Sequence, residues 1–288
     1  MIIVDINQVC ISNLFAQLGE HTNAKLEENL IRHMILNSLR SYNAKFRNQY
    51  GEMVIACDDK KNWRRGCFQF YKAHRKKDRE ESDVDWNTVF QSLDNIKAEL
   101  KEFFPYRVIQ VDHAEADDII ATLCEKHGTI LSNGEEEKIL IVSSDKDFIQ
   151  LQKYANVFQY DPIKGKMIQH NDPNKYMIEH IIRGDRGDGI PNIMSADDSI
   201  INGIRQKPVS AKKIEEWVNK EPEEFCNADM LRNWHRNKLL IDLSSVPENI
   251  KNSVITKYDE ESGKNRSKLF NYFVTYRLKS LMENISEF

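Results

Sequence analysis

Carboxylates recur where apolar runs stop or tight loops begin: Asp5, Asp58, Glu115, Asp117, Asp118, Asp145, Asp147, Asp185 and Asp188. Each alone signals little, because an Asp at a strand end commonly starts a turn and an acid in a first helical turn complements the dipole. The ordered set is far more specific than any member. Like charges gathered at one edge repel, and they raise one another's pKa unless cations neutralise them. Oxygen donors, with no His or Cys expected among them, favour Mg²⁺ over zinc, with Mn²⁺ able to substitute. Two such ions are the arrangement that stabilises the attacking and leaving oxygens of an in-line phosphoryl displacement.

The elements that would position these groups alternate. Residues 1–6 read as a strand ending at Asp5, and Glu52–Cys57 as an apolar strand ending at Asp58. Residues 24–46 between them carry Leu26, Leu30, Ile31, Met34, Ile35 and Leu39 at helical spacing. An amphipathic helix follows at 86–104, stopped by Pro105, then a strand at 106–111 leading to Glu115. A helix from about Ala114 puts Glu115 and Asp118 on one face and turns Ile119, Ile120 and Leu123 inward. After a polar loop around Ser132–Glu137, Lys138–Ser144 is the clearest buried strand and delivers Asp145 and Asp147. Residues 148–154 read as a short helix, 157–160 as a last strand and 166–170 as its hairpin return. Continuous apolar strands separated by helices predict an α/β fold, a parallel sheet covered on both faces, with strand ends converging on one edge.

The net charge of −4 is unevenly spread. Lys60, Lys61, Arg64, Arg65, Lys72, Arg75, Lys76, Lys77 and Arg79 stand within twenty residues against the single acid Asp78. Trp63, Phe68, Phe70 and Tyr71 interleave with them. This reads either as a solvated helix with an apolar stripe or as a phosphate clamp with aromatic faces for unpaired bases. Its place just after a strand ending in Asp favours the clamp.

From about residue 171 the pattern becomes helical: 172–183, 195–204, 210–220, 225–243, 247–258 and 269–284, with 259–267 as a candidate linker. Gly184–Ile193 packs three glycines and a proline into a tight loop. The expected organisation is an α/β core over 1–170, carrying an arch at 60–82, and a helical region over 171–288. No run reaches the length of a membrane span, and no leader precedes the first strand, so a cytoplasmic chain without membrane contact is expected. Five scattered cysteines without a CxxC pair predict neither disulfides nor a zinc site.

Nearly end to end, the chain resembles the flap endonuclease / 5′ nuclease family in its phage-type branch of 5′→3′ exonucleases. The resemblance rests on Val4–Gln8, Ile55–Asp59, Trp63–Arg65, Tyr71–Arg75, Arg79–Ser82, Glu115–Asp118, Ile141–Phe148, Gly184–Asp188 and Ile285–Phe288. It implies a parallel-sheet PIN-like core with a helical arch and a helix–three-turn–helix element. Asp5, Asp58, Glu115 and Asp117 would surround one ion; Asp145, Asp147, Asp185 and Asp188, with Asp118 nearby, would serve a second. Lys72 and Arg75 match arch cations that approach the scissile phosphate, beside Asp117 as a catalytic group. Arg64, Arg65, Tyr71, Lys76, Lys77 and Arg79 would meet nucleic acid along the arch. Gly187, Gly189 and Ile190 would grip a duplex backbone through main-chain N–H groups, positioning it without reading bases. The usual loop Gly-Asp-x-x-Asp-Asn-Ile-Pro-Gly has Gly189 and Asn192 in place of its Asn and last Gly, and Met194–Pro208 lacks the usual glycine-rich pattern. Asn192 is expected to keep the turn by tolerating the left-handed region.

The function so implied is Mg²⁺-dependent 5′→3′ exonuclease and flap endonuclease activity on branched or nicked duplexes with a free 5′ end, removing RNA primers in replication. A monomer is expected. With no tail ahead of the first strand, a single-strand-binding protein or sliding clamp would have to dock elsewhere, such as on the C-terminal helices. Two rivals stand beside this reading. A PIN-type endoribonuclease cutting single strands would need the carboxylates but neither arch nor duplex grip. A non-catalytic branched-DNA module would gain from losing carboxylates near phosphate.

Overall fold

The computed structural model describes residues 1–18, 28–129 and 137–288. The chain begins β1 (Ile2–Asp5), α1 (Ile6–Leu18), α2 (Glu28–Tyr50) and β2 (Met53–Ala56). Two short helices, α3 (Arg64–Cys67) and α4 (His74–Glu80), occupy the basic segment. Then come α5 (Trp86–Phe103), β3 (Arg107–Ile109), α6 (Ala116–His127) and β4 (Ile139–Val142). A 3₁₀ stretch at Lys146–Lys153 leads to β5 (Val157–Asp161) and β6 (Lys166–Ile168). The helical remainder is α7 (Pro173–Arg183), α8 (Ala211–Trp217), α9 (Pro222–Phe225), α10 (Ala228–Ile241), α11 (Glu248–Glu260), α12 (Leu269–Thr275) and α13 (Lys279–Met282). Residues 24–27 of the first expected helix and 130–136 of the polar loop lie outside the described residues.

The six strands form one sheet in the order β3-β2-β1-β4-β5-β6. Neighbours are parallel except for β6, which returns antiparallel to β5. Strand order reverses at β1, so a crevice opens beyond the carboxyl ends of β1 and β4. Both faces are covered, which is why the strands read as continuous apolar runs. Ile2, Val4, Leu140 and Val142 pack with α2 and α5 on one face. Met1, Ile3, Ile139 and Ile141 pack with α6 on the other.

Helix boundaries follow local chemistry. At the start of α5, Asp85 accepts from the Thr88 N–H at 3.2 Å, and the helix ends just before Pro105. At α7, Asp172 accepts from the Lys175 N–H at 2.9 Å with Pro173 in the first turn. It stops at Gly184, whose φ is 67°; a Cβ there would stand 2.3 Å from the Ile190 carbonyl oxygen.

The helical region after residue 171 has two parts. Ile182, Ile193, Ile214 and Trp217 form a cluster of their own. The chain then returns to the sheet: Ile250, Val254 and Tyr258 of α11 pack with α6. Tyr272, Phe273, Leu281 and Phe288 join the opposite layer. The helix expected at 269–284 is broken, because Arg277 takes a left-handed φ of 56° and Leu278 turns into the core. The helix expected at 195–204 is a series of turns. Long-range contacts outweigh local propensity there: Ser195 Oγ accepts from the Lys207 N–H at 2.9 Å, and Asp197 pairs with Arg232 and Arg236. All five cysteines are free. Among the described residues, no helix is long and apolar enough to cross a membrane.

Candidate active site

The crevice beyond the strand ends is a cleft of about 440 Å³ lined by Asp5, Asp58, Asp117, Asp145 and Asp188, with Lys72 and Arg75 facing them. Asp5 ends β1 and is 6% exposed. It accepts from the Gln8 N–H at 3.1 Å and from Ser143 Oγ at 3.4 Å. Asp58 accepts from the Ala116 N–H at 2.7 Å and from the Asn7 side chain, tying the end of β2 to the start of α6. Asp145 Oδ1 accepts from the Asp147 N–H at 2.9 Å and so starts the 3₁₀ stretch.

Burial raises Asp5 to about 7, with Asp58 and Asp145 adding to it. Burial likewise pushes Asp117 well above the carboxylate range despite Lys72, with Asp145, Asp5 and Glu115 reinforcing the rise. Asp145 is raised mainly by burial, with Asp188 and Asp185 contributing. Carboxylates packed this way are under-neutralised by the chain, and an all-oxygen set suits hard divalent cations.

Not every expected ligand opens onto the cleft. Glu115 is buried and engaged by three donors: Lys72 Nζ at 2.7 Å, the Tyr71 hydroxyl at 2.9 Å and Arg64 Nη1 at 3.1 Å. Burial alone would raise it, but Lys72 and Arg64 hold it below the usual value. Asp118, expected near a second ion, is fully buried. One of its oxygens meets Arg64 Nη1 at 2.7 Å; the other accepts from Trp63 Nε1 at 3.1 Å and from the Glu115 N–H at 2.8 Å. Asp118 is thus the helix-start group that orients Glu115, and its oxygens are already taken.

Asp147 and Asp185 lie together with a residue the sequence did not single out. His180 on α7 places Nδ1 3.3 Å from Asp147 and Nε2 3.3 Å from Asp185. The three could hold one metal ion. Burial pushes Asp147 well above its usual value, with Asp145 adding to it; His180 holds Asp185 below. The expectation that no His stands among these carboxylates is corrected here by one imidazole within 3.3 Å of two of them. Sequence spacing carried no signal for it, since α7 reaches the 3₁₀ stretch only through the tertiary fold.

The expected nucleic-acid residues divide. Arg65, Arg75, Lys76 and Lys77 are exposed, and Arg79 is half-buried at the cleft. Arg64 is corrected: only 2% exposed, it donates Nε to the Leu240 carbonyl and pairs with Glu115 and Asp118. Tyr71, also 2% exposed, bridges Glu115 and Asp188 (3.0 Å) and has no free face for a base. Phe68 is buried beside it.

The loop 184–192 is corrected as well. Ile190 is buried and its N–H goes to the Asp185 carbonyl at 2.7 Å; the Gly189 N–H goes to Arg186 at 3.2 Å. Gly189 has a φ of 74°, and a Cβ there would stand 2.8 Å from the Phe70 carbonyl oxygen, so glycine lets the loop press on the basic segment. Gly187 stays exposed, its carbonyl accepting from Arg75 Nε at 3.0 Å. Arg75 Nη2 meets Asp188 at 2.7 Å, and the Lys72 N–H donates to the Asp188 carbonyl at 2.8 Å. Asn192 does not take a left-handed φ. Its amide instead donates to the Lys207 carbonyl and accepts from the Met194 N–H, bracing the turn.

A doubly wound sheet with carboxylates at its strand ends and a basic segment over them defines a nuclease-like α/β protein. The family model of the 5′-3′ exonuclease N-terminal resolvase-like domain matches residues 1–180, and that of the T4 RNase H C-terminal domain matches residues 172–288. The chain belongs to the 5′-3′ exonuclease family, whose members are hydrolytic nucleases. It is 31% identical to ribonuclease H of enterobacteria phage T4, over 99% of this chain and 95% of that protein. It is 30% identical to flap endonuclease Xni of Shewanella halifaxensis over 52% of this chain and 56% of that protein. Among solved structures it resembles the T5 D15 protein co-crystallised with metal ions, at a TM-score of 0.60 and 17% identity, covering 91% of this chain and 99% of that one. The T5 D15 flap endonuclease in a pseudo-enzyme-product complex with DNA and metal ions gives a TM-score of 0.58 at 18% identity, covering 90% of this chain and 98% of that one.

Proposed function

We propose that this 5′ nuclease hydrolyses phosphodiesters at the 5′ ends of nicked or branched duplexes and flaps with two divalent cations, Mg²⁺ in the cell, and removes RNA primers during replication. One observation carries the reading: carboxylates from the ends of β1, β2 and β4 and the start of α6 line a single cleft opposite Lys72 and Arg75. Asp5, Asp58, Asp117 and Asp145 would hold one cation, and Asp147, Asp185 and His180 the other. Cations bound there supply the positive charge that stabilises an in-line phosphoryl displacement. Lys72 and Arg75 would draw the scissile phosphate over the carboxylates, and Asp188 and Glu115 would hold both side chains in place. Exposed Lys76 and Lys77 would track the backbone without reading bases.

A single-strand-binding protein or sliding clamp would meet the C-terminal helices of a monomer. Phe270 and Val274 on α12 support this, being 57% and 54% exposed. The test compares a labelled 5′-flap duplex with the same single strand free, each with Mg²⁺ and with EDTA. Cleavage of the flap duplex only with Mg²⁺ is expected. Preference for the free strand would favour a single-strand endoribonuclease, and binding without cleavage a non-catalytic module.

A further inference from the structure

The aromatic residues interleaved with the basic segment are largely turned inward, yet the mouth of the cleft carries another aromatic group. Phe90 lies off the buried stripe of α5, which is Val89, Leu93, Ile96 and Leu100, and is 40% exposed. It stacks on Trp86 one turn earlier, with centroids 5.6 Å apart and planes at 29°. Phe15 of α1 continues the group at 5.8 Å from Trp86 and is 46% exposed. Singly exposed aromatics need no explanation, but two exposed rings joined through the half-buried Trp86, which is anchored on the sheet core, do.

Two features tie these rings to nucleic acid. Phe90 lines the carboxylate cleft itself and also the adjoining groove with Trp86, Lys76 and Arg79. The Arg79 guanidinium lies 5.8 Å from the centre of the Phe90 ring. Aromatic faces interleaved with cations are the surface on which unpaired bases stack, whatever their identity. We propose that Phe15, Trp86 and Phe90 form a stacking platform for the bases of a single 5′ strand beside the cleft. The proposal rests on the cleft being the site of phosphodiester cleavage. It makes the protein's grip on the unpaired strand depend on bases, where the carboxylates and arch cations depend on phosphates.

The probe is a duplex with a 5′ single-stranded overhang carrying 2-aminopurine at its unpaired positions, titrated with the full chain in EDTA. Stacking quenches the fluorescence. Phe90→Ala and Phe15→Ala should reduce the quench and weaken binding by on the order of tenfold, while Phe90→Tyr keeps both. Abasic residues in the overhang should weaken wild-type binding by the same factor and Phe90→Ala binding no further. Wild-type quench and affinity in Phe90→Ala, or a Phe90→Ala substitution that weakens binding to the abasic strand as much as to the intact one, would overturn the proposal. No cleavage is read, so this outcome is independent of the cleft assignment, which Asp117→Ala addresses.

Discussion

The Lys72 ammonium lies 2.7 Å from the Glu115 carboxylate across 43 positions of sequence. Lys72 also stands 3.5 Å from Asp188, and its backbone takes a left-handed φ of 54°. The side chain is therefore held at the cleft by buried Glu115 and by Asp188, which itself lines the cleft. Lys72→Met should slow single-turnover cleavage by on the order of a hundredfold with little change in duplex affinity, as expected when a donor to developing charge is removed. A loss confined to affinity would place Lys72 in binding alone.

Arg64 and the arch cations should behave oppositely, although they are neighbours in sequence. Arg64→Met leaves Glu115 and Asp118 without their buried partner and should cost about 3 kcal/mol of stability, read by chemical denaturation. Lys76→Ala and Lys77→Ala should leave stability unchanged, weaken duplex binding, and each reduce the salt dependence by about one counterion. Normal stability in Arg64→Met would return that residue to the nucleic-acid surface.

Glu99 gives the fold a defined acid sensitivity. It accepts from Arg32 Nε at 2.8 Å, from Arg32 Nη2 at 2.7 Å and from the Tyr272 hydroxyl at 2.6 Å, joining α2, α5 and α12. Burial would raise its pKa, but the bonds from Arg32 and Tyr272 hold it below the usual value. A carboxyl with a lowered folded pKa contributes stability that is fully present above its unfolded value, about 4.3, and is lost as pH falls through the folded value. Denaturation from pH 7 to pH 3 should show Glu99→Gln less stable than wild type at neutrality, with the gap closing below about pH 4. A gap constant across this range would remove Glu99 from the acid response.

His180 brings a nitrogen donor to Asp147 and Asp185, and nitrogen raises preference for Mn²⁺ over Mg²⁺. His180→Ala should lower Mn²⁺ affinity on the order of tenfold and Mg²⁺ affinity less, measured by titration calorimetry. Equal losses for both ions would make His180 a tether for the two acids and not a ligand.

The strands and most of the carboxylates were legible because each signal is local: an apolar run followed by Asp5, Asp58 or Asp145. What was not legible depended on the tertiary fold. Arg64 and Tyr71 look like neighbouring arch residues in sequence, but Arg64 at the start of α3 and Tyr71 beyond its end are both buried and bonded to Glu115. Asp118 could not be told from Asp117, because which acid faces the cleft depends on where Arg64 and Trp63 come to lie. The exposure of Phe90 did have a local signal, since it sits beside Val89 and off the Val89–Leu93–Ile96–Leu100 stripe.

The most direct test of the account is cleavage of a labelled 5′-flap duplex by wild type and Asp117→Ala, each with Mg²⁺ and with EDTA, after circular dichroism confirms both are folded. The account predicts cleavage by wild type only with Mg²⁺ and a loss of about a thousandfold in Asp117→Ala. Wild-type cleavage by a folded Asp117→Ala in Mg²⁺ would contradict it.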